Sequence, residues 1–157
     1  MLYKLKQYFQ EDQNDRGNKK LSATEMTRRD AQRRREVRRI ILEQKLKAGA
    51  DFYHAAFIFH HGPHKVDSQR AIHLAKKSME RGYKKARWLY AAAFDRFLMK
   101  NKKLQKFGTQ FFKKKNGSWQ LWPLDQETTD AERTLFGVKS LVRLKKQIER
   151  LNSSKSS

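Results

Sequence analysis

The sequence contains no cysteine, so it can build no disulfide, thiol nucleophile or cysteine zinc site. No apolar run approaches the roughly 20 residues that a membrane-spanning helix needs. The opening MLYKLKQYFQ also lacks the apolar centre of a secretory signal. A soluble, intracellular, cytoplasmic protein is the expectation. A hydrolase-type serine or cysteine elbow is missing, which leaves covalent catalysis without support. So are the signatures of RNA-recognition, KH, zinc-finger and helix-turn-helix modules. Acidic residues are scarce as well, with 16 Asp and Glu against 37 Lys and Arg, a net charge of +21.

That excess is spread along the chain. Positions 1–50 carry 14 basic against 7 acidic residues, 51–100 carry 10 against 4, and the rest 13 against 5. A basic tail on a neutral domain is thereby excluded. Such a field draws polyanions, so RNA or another polyanion is the expected partner, with an acidic protein as a second candidate. The oligomeric state is not legible. A length of 157 residues, 38% of them hydrophobic, suits one domain with one continuous core. The domain is expected over 1–152, with a disordered tail at 153–157.

Leu2, Leu5 and Phe9 recur at helical spacing and predict a short first helix that ends in the polar run EDQNDRGNKK, with Gly17 as breaker. Ser22 and Glu25 form a capping-box pattern, and the next helix then runs without Gly or Pro to Gly49. Its first half, TRRDAQRRRE, has almost nothing apolar and is expected to face water or a ligand. DFYHAAFIFHHG reads as a compact apolar helix stopped by Gly62 and Pro63. Asp67 or Ser68 can cap the helix after it, which carries Ala71, Leu74, Ala75 and Ser78 on one face. A further helix aligns Ala86, Leu89, Ala93 and Phe97. Between about 105 and 124 the pattern alternates around Asn116-Gly117, the signal of a two-residue hairpin turn. That turn would set Lys114 opposite Trp119, Phe112 opposite Leu121 and Phe111 opposite Trp122. Thr129 and Glu132 make a second capping box, and Leu141, Leu144, Ile148 and Leu151 mark a last amphipathic helix. The expected fold is mainly α, a single-domain helical bundle with one β-hairpin.

Gly62, Asp67, Ala71, Ala75, Glu80, Gly82, Tyr83 and Ala86 resemble a Sel1-type repeat, a relative of the tetratricopeptide helix pair. That resemblance implies two helices brought close by small residues. In order along the chain, EDQNDR, DFYHAAFIFHHG, ARWL, DRFLM, QKFGTQF, WPLD and TTDAER resemble a bacterial family of uncharacterised domains. This second resemblance implies a shared fold and a shared polar site, and no activity.

The candidate polar pocket gathers Asp12, Asp15 and Arg16, then His54 and His61, Asp95 and Arg96, and Gln105, Thr109 and Gln110. Within it His61, Asp95 and Gln110 are the candidate catalytic set, because imidazole with carboxylate suits acid–base work, for instance on phosphodiesters. The bland alternative is a structural network that satisfies buried polar groups. A His60, His61 and His64 metal cluster lacks a carboxylate or cysteine at ligand spacing, so neither metal nor cofactor is expected. The candidate binding residues are Arg28, Arg29, Arg33, Arg34, Arg35, Arg38 and Arg39, with Lys113, Lys114 and Lys115 from the hairpin. A third reading is a Sel1-like groove around Trp88 and Tyr90 that takes a protein partner.

Overall fold

The computed structural model describes residues 2–153, with side chains from Lys4 onward. Among the described residues seven helices run α1 (Leu2–Gly17), α2 (Ala23–Leu42), α3 (Gly49–His60), α4 (Lys65–Glu80), α5 (Ala86–Lys100), α6 (Asp130–Leu135) and α7 (Leu141–Ser153). One antiparallel hairpin, β1 (Phe111–Lys113) and β2 (Trp119–Leu121), interrupts them. The fold is mainly helical, as the composition and periodicity require. Helix α7 includes Ser153, and 154–157 of the expected tail lie outside the described residues.

Helix α3 is the centre, because its sequence is apolar nearly all round. Ala55 and Phe59 are fully buried, and Leu5 of α1, Val37 and Ile40 of α2, Ala71 and Ala75 of α4, and Leu89 and Ala93 of α5 complete the same core. Small residues on α4 and α5 let those helices approach closely. Contacts between opposite ends show that neighbours run antiparallel. Ser78 at the end of α4 donates to the Gly49 carbonyl at the start of α3 (2.6 Å), and Lys100 at the end of α5 reaches Ser68 at the start of α4 (2.9 Å). A smaller core of Ala91, Phe107 and Val138, flanked by Phe94 and Phe136, lies between α5 and the segment that carries α6.

Four local expectations are corrected. The polar run after Phe9 stays helical to Gly17: Asp15 pairs with Arg29 and Arg33 of α2, and Asp12 with Arg16 one turn on and with His61 after α3. Helix α2 stops at Leu42, well before Gly49, which instead opens α3. Gln44 takes a left-handed φ of 53°, and bonds from Gln44 N to Ile41 O and Lys45 N to Ile40 O close a Schellman motif without glycine. Asp67 is not the cap of α4; it sits three residues past the N-cap His64 and accepts from its backbone N–H at 3.3 Å. The hairpin is shorter, and its register is shifted by one. Phe111 pairs with Leu121, Phe112 with Gln120 and Lys113 with Trp119. The cause is a three-residue loop: Gly117 N bonds Lys114 O and carries a φ of 82°, while Lys114 N bonds Ser118 O. Of the Asn-Gly pair only the glycine is left-handed, as in a turn followed by a glycine bulge. Phe112 instead meets Trp122 on the diagonal, ring centroids 5.9 Å apart.

The two capping boxes differ. Thr129 and Glu132 satisfy each other's backbone N–H groups in both directions. At α2 only half the box closes, since Ser22 accepts from Glu25 N while the Glu25 carboxylate turns to Arg28 and Arg29.

Candidate functional site

The polar residues of the sequence resolve into two networks. The first clasps α1 to α2 and α3. Arg33, only 4% exposed, bridges Asp15 and Asp30 at 2.7 Å each, and Arg29 adds a second contact to Asp15. Arg16 holds Asp30 at 2.7 Å and Asp12 at 3.1 Å. His61 Nδ1 lies 2.9 Å from Arg16 Nε and 3.0 Å from Asp12 Oδ2; in one tautomer it accepts from the guanidinium, in the other it donates to the carboxylate. Burial opposes ionisation of Asp12, but the His61 contact and the Arg16 and Arg33 charges outweigh it and hold its pKa below the usual value. His54 faces α1 one turn-pair earlier on α3, stacked on Phe9 at 4.7 Å.

The second network answers why QKFGTQF is so polar between its phenylalanines. The loop wraps the Asp95 carboxylate, which is fully buried on α5. Lys106 N and Phe107 N donate to Oδ1 at 2.8 and 2.9 Å, and Thr109 N and Oγ1 donate to Oδ2 at 2.9 and 2.8 Å. Gln105 is also fully buried; its amide donates to the Gln110 and Trp122 carbonyls and accepts from Gln110 N. Gln110 donates to Ala92 O and Thr109 Oγ1 and accepts from Arg96 Nε at 3.2 Å. Gly108 sits at φ 92°, and a Cβ there would come within 2.7 Å of Leu144. The polar groups of this stretch hold the hairpin root to α5 through Asp95, Ala92 and Arg96, and close the root on itself through Gln105.

Arg96 joins the two networks, donating to the His60 carbonyl at 3.0 Å as well as to Gln110. Burial, helped by the Arg16 charge, lowers its pKa to about 10. Burial and then Arg96 lower Lys100 to about 8. The buried His60 imidazole is pushed well below its ordinary value by burial and then by Arg96, and its Nδ1 has no hydrogen-bond partner. His61 and Asp95 share no hydrogen bond, and all of Asp95's acceptor capacity is committed to the loop. Among the described residues no group of three or more His, Asp or Glu is arranged to hold a metal.

The arginines of α2 do not form the free basic face that their sequence suggested. Arg33 and Arg34 are buried, Arg28 and Arg29 pair with Glu25, Arg39 with Glu36, and Arg38 with Asp67. Among the described residues Arg35 alone of the seven is both exposed and without an ion pair. Lys113, Lys114 and Lys115 are exposed at the hairpin tip, Lys113 lying 5.0 Å over the Trp119 ring. Trp119 N in turn bonds Asn152 Oδ1 at the end of α7.

A different surface carries unneutralised charge. Three adjoining clefts of about 300, 180 and 350 Å³ share Trp88 and Gly137, then Lys139 and Gln147, and so form one continuous groove. Lys84, Lys85 and Arg87 border its start, exposed Trp88 stands in the middle, and Lys139, Arg143, Lys146 and Arg150 line its far end along α7. None of its lining residues is acidic. Sequence reasoning found Trp88 but missed these lysines and arginines, although positions 139, 143, 146 and 150 repeat at helical spacing opposite Leu141, Leu144 and Ile148. No helix among the described residues is long and apolar enough to cross a membrane. Compared with protein-family models, curated proteins and solved structures, the chain matches none.

Proposed function

We propose that this protein binds RNA or another flexible polyanion along the groove from Lys84 through Trp88 to Arg150. The observation that carries the reading is a row of seven exposed cations with no acid in the lining and one 42% exposed tryptophan in its path. A positive track with an aromatic platform suits a single strand, because phosphates follow the charge and any base can stack on indole. The net charge of +21 supports it by steering polyanions toward the molecule. The Arg-rich α2, which the sequence favoured as the contact, has a smaller part in this reading, since its guanidinium groups are mostly matched by acids. Acid–base catalysis by His61, Asp95 and Gln110 draws less support, because Asp95 and Gln110 are fully engaged in holding the loop.

Fluorescence anisotropy with a labelled oligouridylate across a salt series tests the proposal. The expected result is log affinity falling linearly with log salt. Replacing Lys139, Arg143, Lys146 and Arg150 together by Gln flattens that slope by about 3, at roughly 0.7 per phosphate contact. An affinity that ignores salt, or a slope unchanged in the four-site variant, overturns it.

A further inference from the structure

A second cavity lies on another part of the surface and owes nothing to the groove. It is a cleft of about 400 Å³ between α2 and α4, within the size range of small-ligand pockets. Its floor is Phe59 of α3 and Leu74; its walls are Ile41 and Leu42 of α2 and Val66 of α4. From Val66 to Leu74 the α4 wall is about 12 Å long at 1.5 Å per residue. Leu42 is 81% exposed and Val66 45%, so the apolar lining continues onto the lip. A monomer with nothing to cover them gains nothing from such residues side by side.

Besides the neutral Gln69 and the His73 imidazole, the charged groups on this lining are of one sign. The guanidinium groups of Arg38 and Arg70 lie 5.8 and 5.7 Å from the centroid of the same Phe59 ring. Among the described residues Arg70 has no ion pair, and Nε of Arg38 is buried without a partner although its Nη2 reaches Asp67 at 3.3 Å. No acid lines the cleft. We infer that this cleft binds a small amphipathic carboxylate, its apolar chain along Phe59 and Leu74 and its carboxylate at Arg38 and Arg70. Charge complementarity selects the anionic head, and a wall about 12 Å long selects a medium-length chain over a bulky ring system.

Isothermal titration with dodecanoate, and with dodecanol as the neutral control, tests this. Dodecanoate is expected to bind about tenfold more tightly than dodecanol, and Arg70→Glu to remove that preference. Val66→Trp, at an exposed position, is expected to fill the cleft and abolish binding while leaving oligouridylate affinity unchanged. Should Val66→Trp fold poorly, amide shifts in the parent protein provide the second readout, and they are expected to concentrate on residues 66–74. Equal binding of acid and alcohol, shifts scattered over the basic surface, or binding that survives Val66→Trp each overturns the inference. An acidic amphipathic peptide that displaces dodecanoate at higher affinity overturns the assignment to a small amphiphile.

Discussion

Helix α2 and the groove along α7 use the same residue types for opposite ends. On α2, arginine is a fastener: Arg33 ties Asp15 of α1 to Asp30, and Arg29 adds a second hold on Asp15. Along α7 the cations stand in water with no acid among the lining residues. A guanidinium matched and buried between helices adds cohesion and loses its reach toward a ligand, whereas an exposed one contributes little to stability and keeps its field. Charge in the sequence is therefore a poor map of charge available for binding. What separates the two regions is where the acids lie: Asp15, Glu25, Asp30, Glu36 and Asp67 pair with the arginines of α2, and Asp95 is held at the hairpin root.

Substitutions can break this contrast from either side. The largest effect is expected at Arg33→Ala, which leaves Asp15 and Asp30 buried without their shared partner and costs about 3–5 kcal/mol. Urea denaturation reads this, and oligouridylate affinity of the folded fraction should stay unchanged. The four-site Gln variant of α7 should behave in the opposite way, with affinity down on the order of a hundredfold and stability within about 0.5 kcal/mol of the parent. Trp88→Ala comes next, costing about 1–3 kcal/mol of binding through lost stacking and leaving the salt slope untouched. A slope that moves with Trp88→Ala would mean that the indole positions cations instead of bases. The smallest change is expected at Arg35→Gln, which should alter neither affinity nor urea midpoint; a strong loss of affinity there would return α2 to the role of contact surface.

Acid sharpens the same contrast. Burial depresses the pKa of His54, His60 and His61, so below about 6.5 the unfolded chain binds protons that the folded chain refuses. The histidine contribution is thus full above that pH and is lost as pH drops through 6 toward 5. The depressed Asp12 pKa adds to the loss at still lower pH, where the carboxylate is protonated. Melting temperatures recorded from pH 5 to 8 should show the decline, and His60→Gln should make it shallower. At alkaline pH the sign is shared: Lys100, lowered to about 8, favours the folded state increasingly as pH rises from 8 toward the ordinary lysine value.

Much of the scaffold was legible in residue patterns. The Thr129–Glu132 box and the Gly62-Pro63 stop rest on interactions within a few residues, the small-residue faces of α4 and α5 on helical periodicity, and each is present. The misreadings share a cause. Residues 11–16 looked like the end of a helix because Asp15 has no local partner; Arg29 and Arg33, more than ten residues away, supply it, and Asp30 gives Arg16 a second acid beside Asp12. The hairpin slipped by one because Asn-Gly admits both two- and three-residue loops, and the choice falls to Trp119 bonding Asn152 of α7 and to the Asp95 anchor at its root.

The sequence by itself determined the helical class, the strongly basic field, the absence of any cysteine chemistry and the caps at Ser22 and Thr129, since these follow from composition and from contacts a few residues apart. Tertiary structure decided which cations remain free and which carboxylates are sealed. Arg33, Arg34 and Arg35 are neighbours of one type in the chain, and only the packing of α1 and α3 against α2 buries the first two and leaves the third in water.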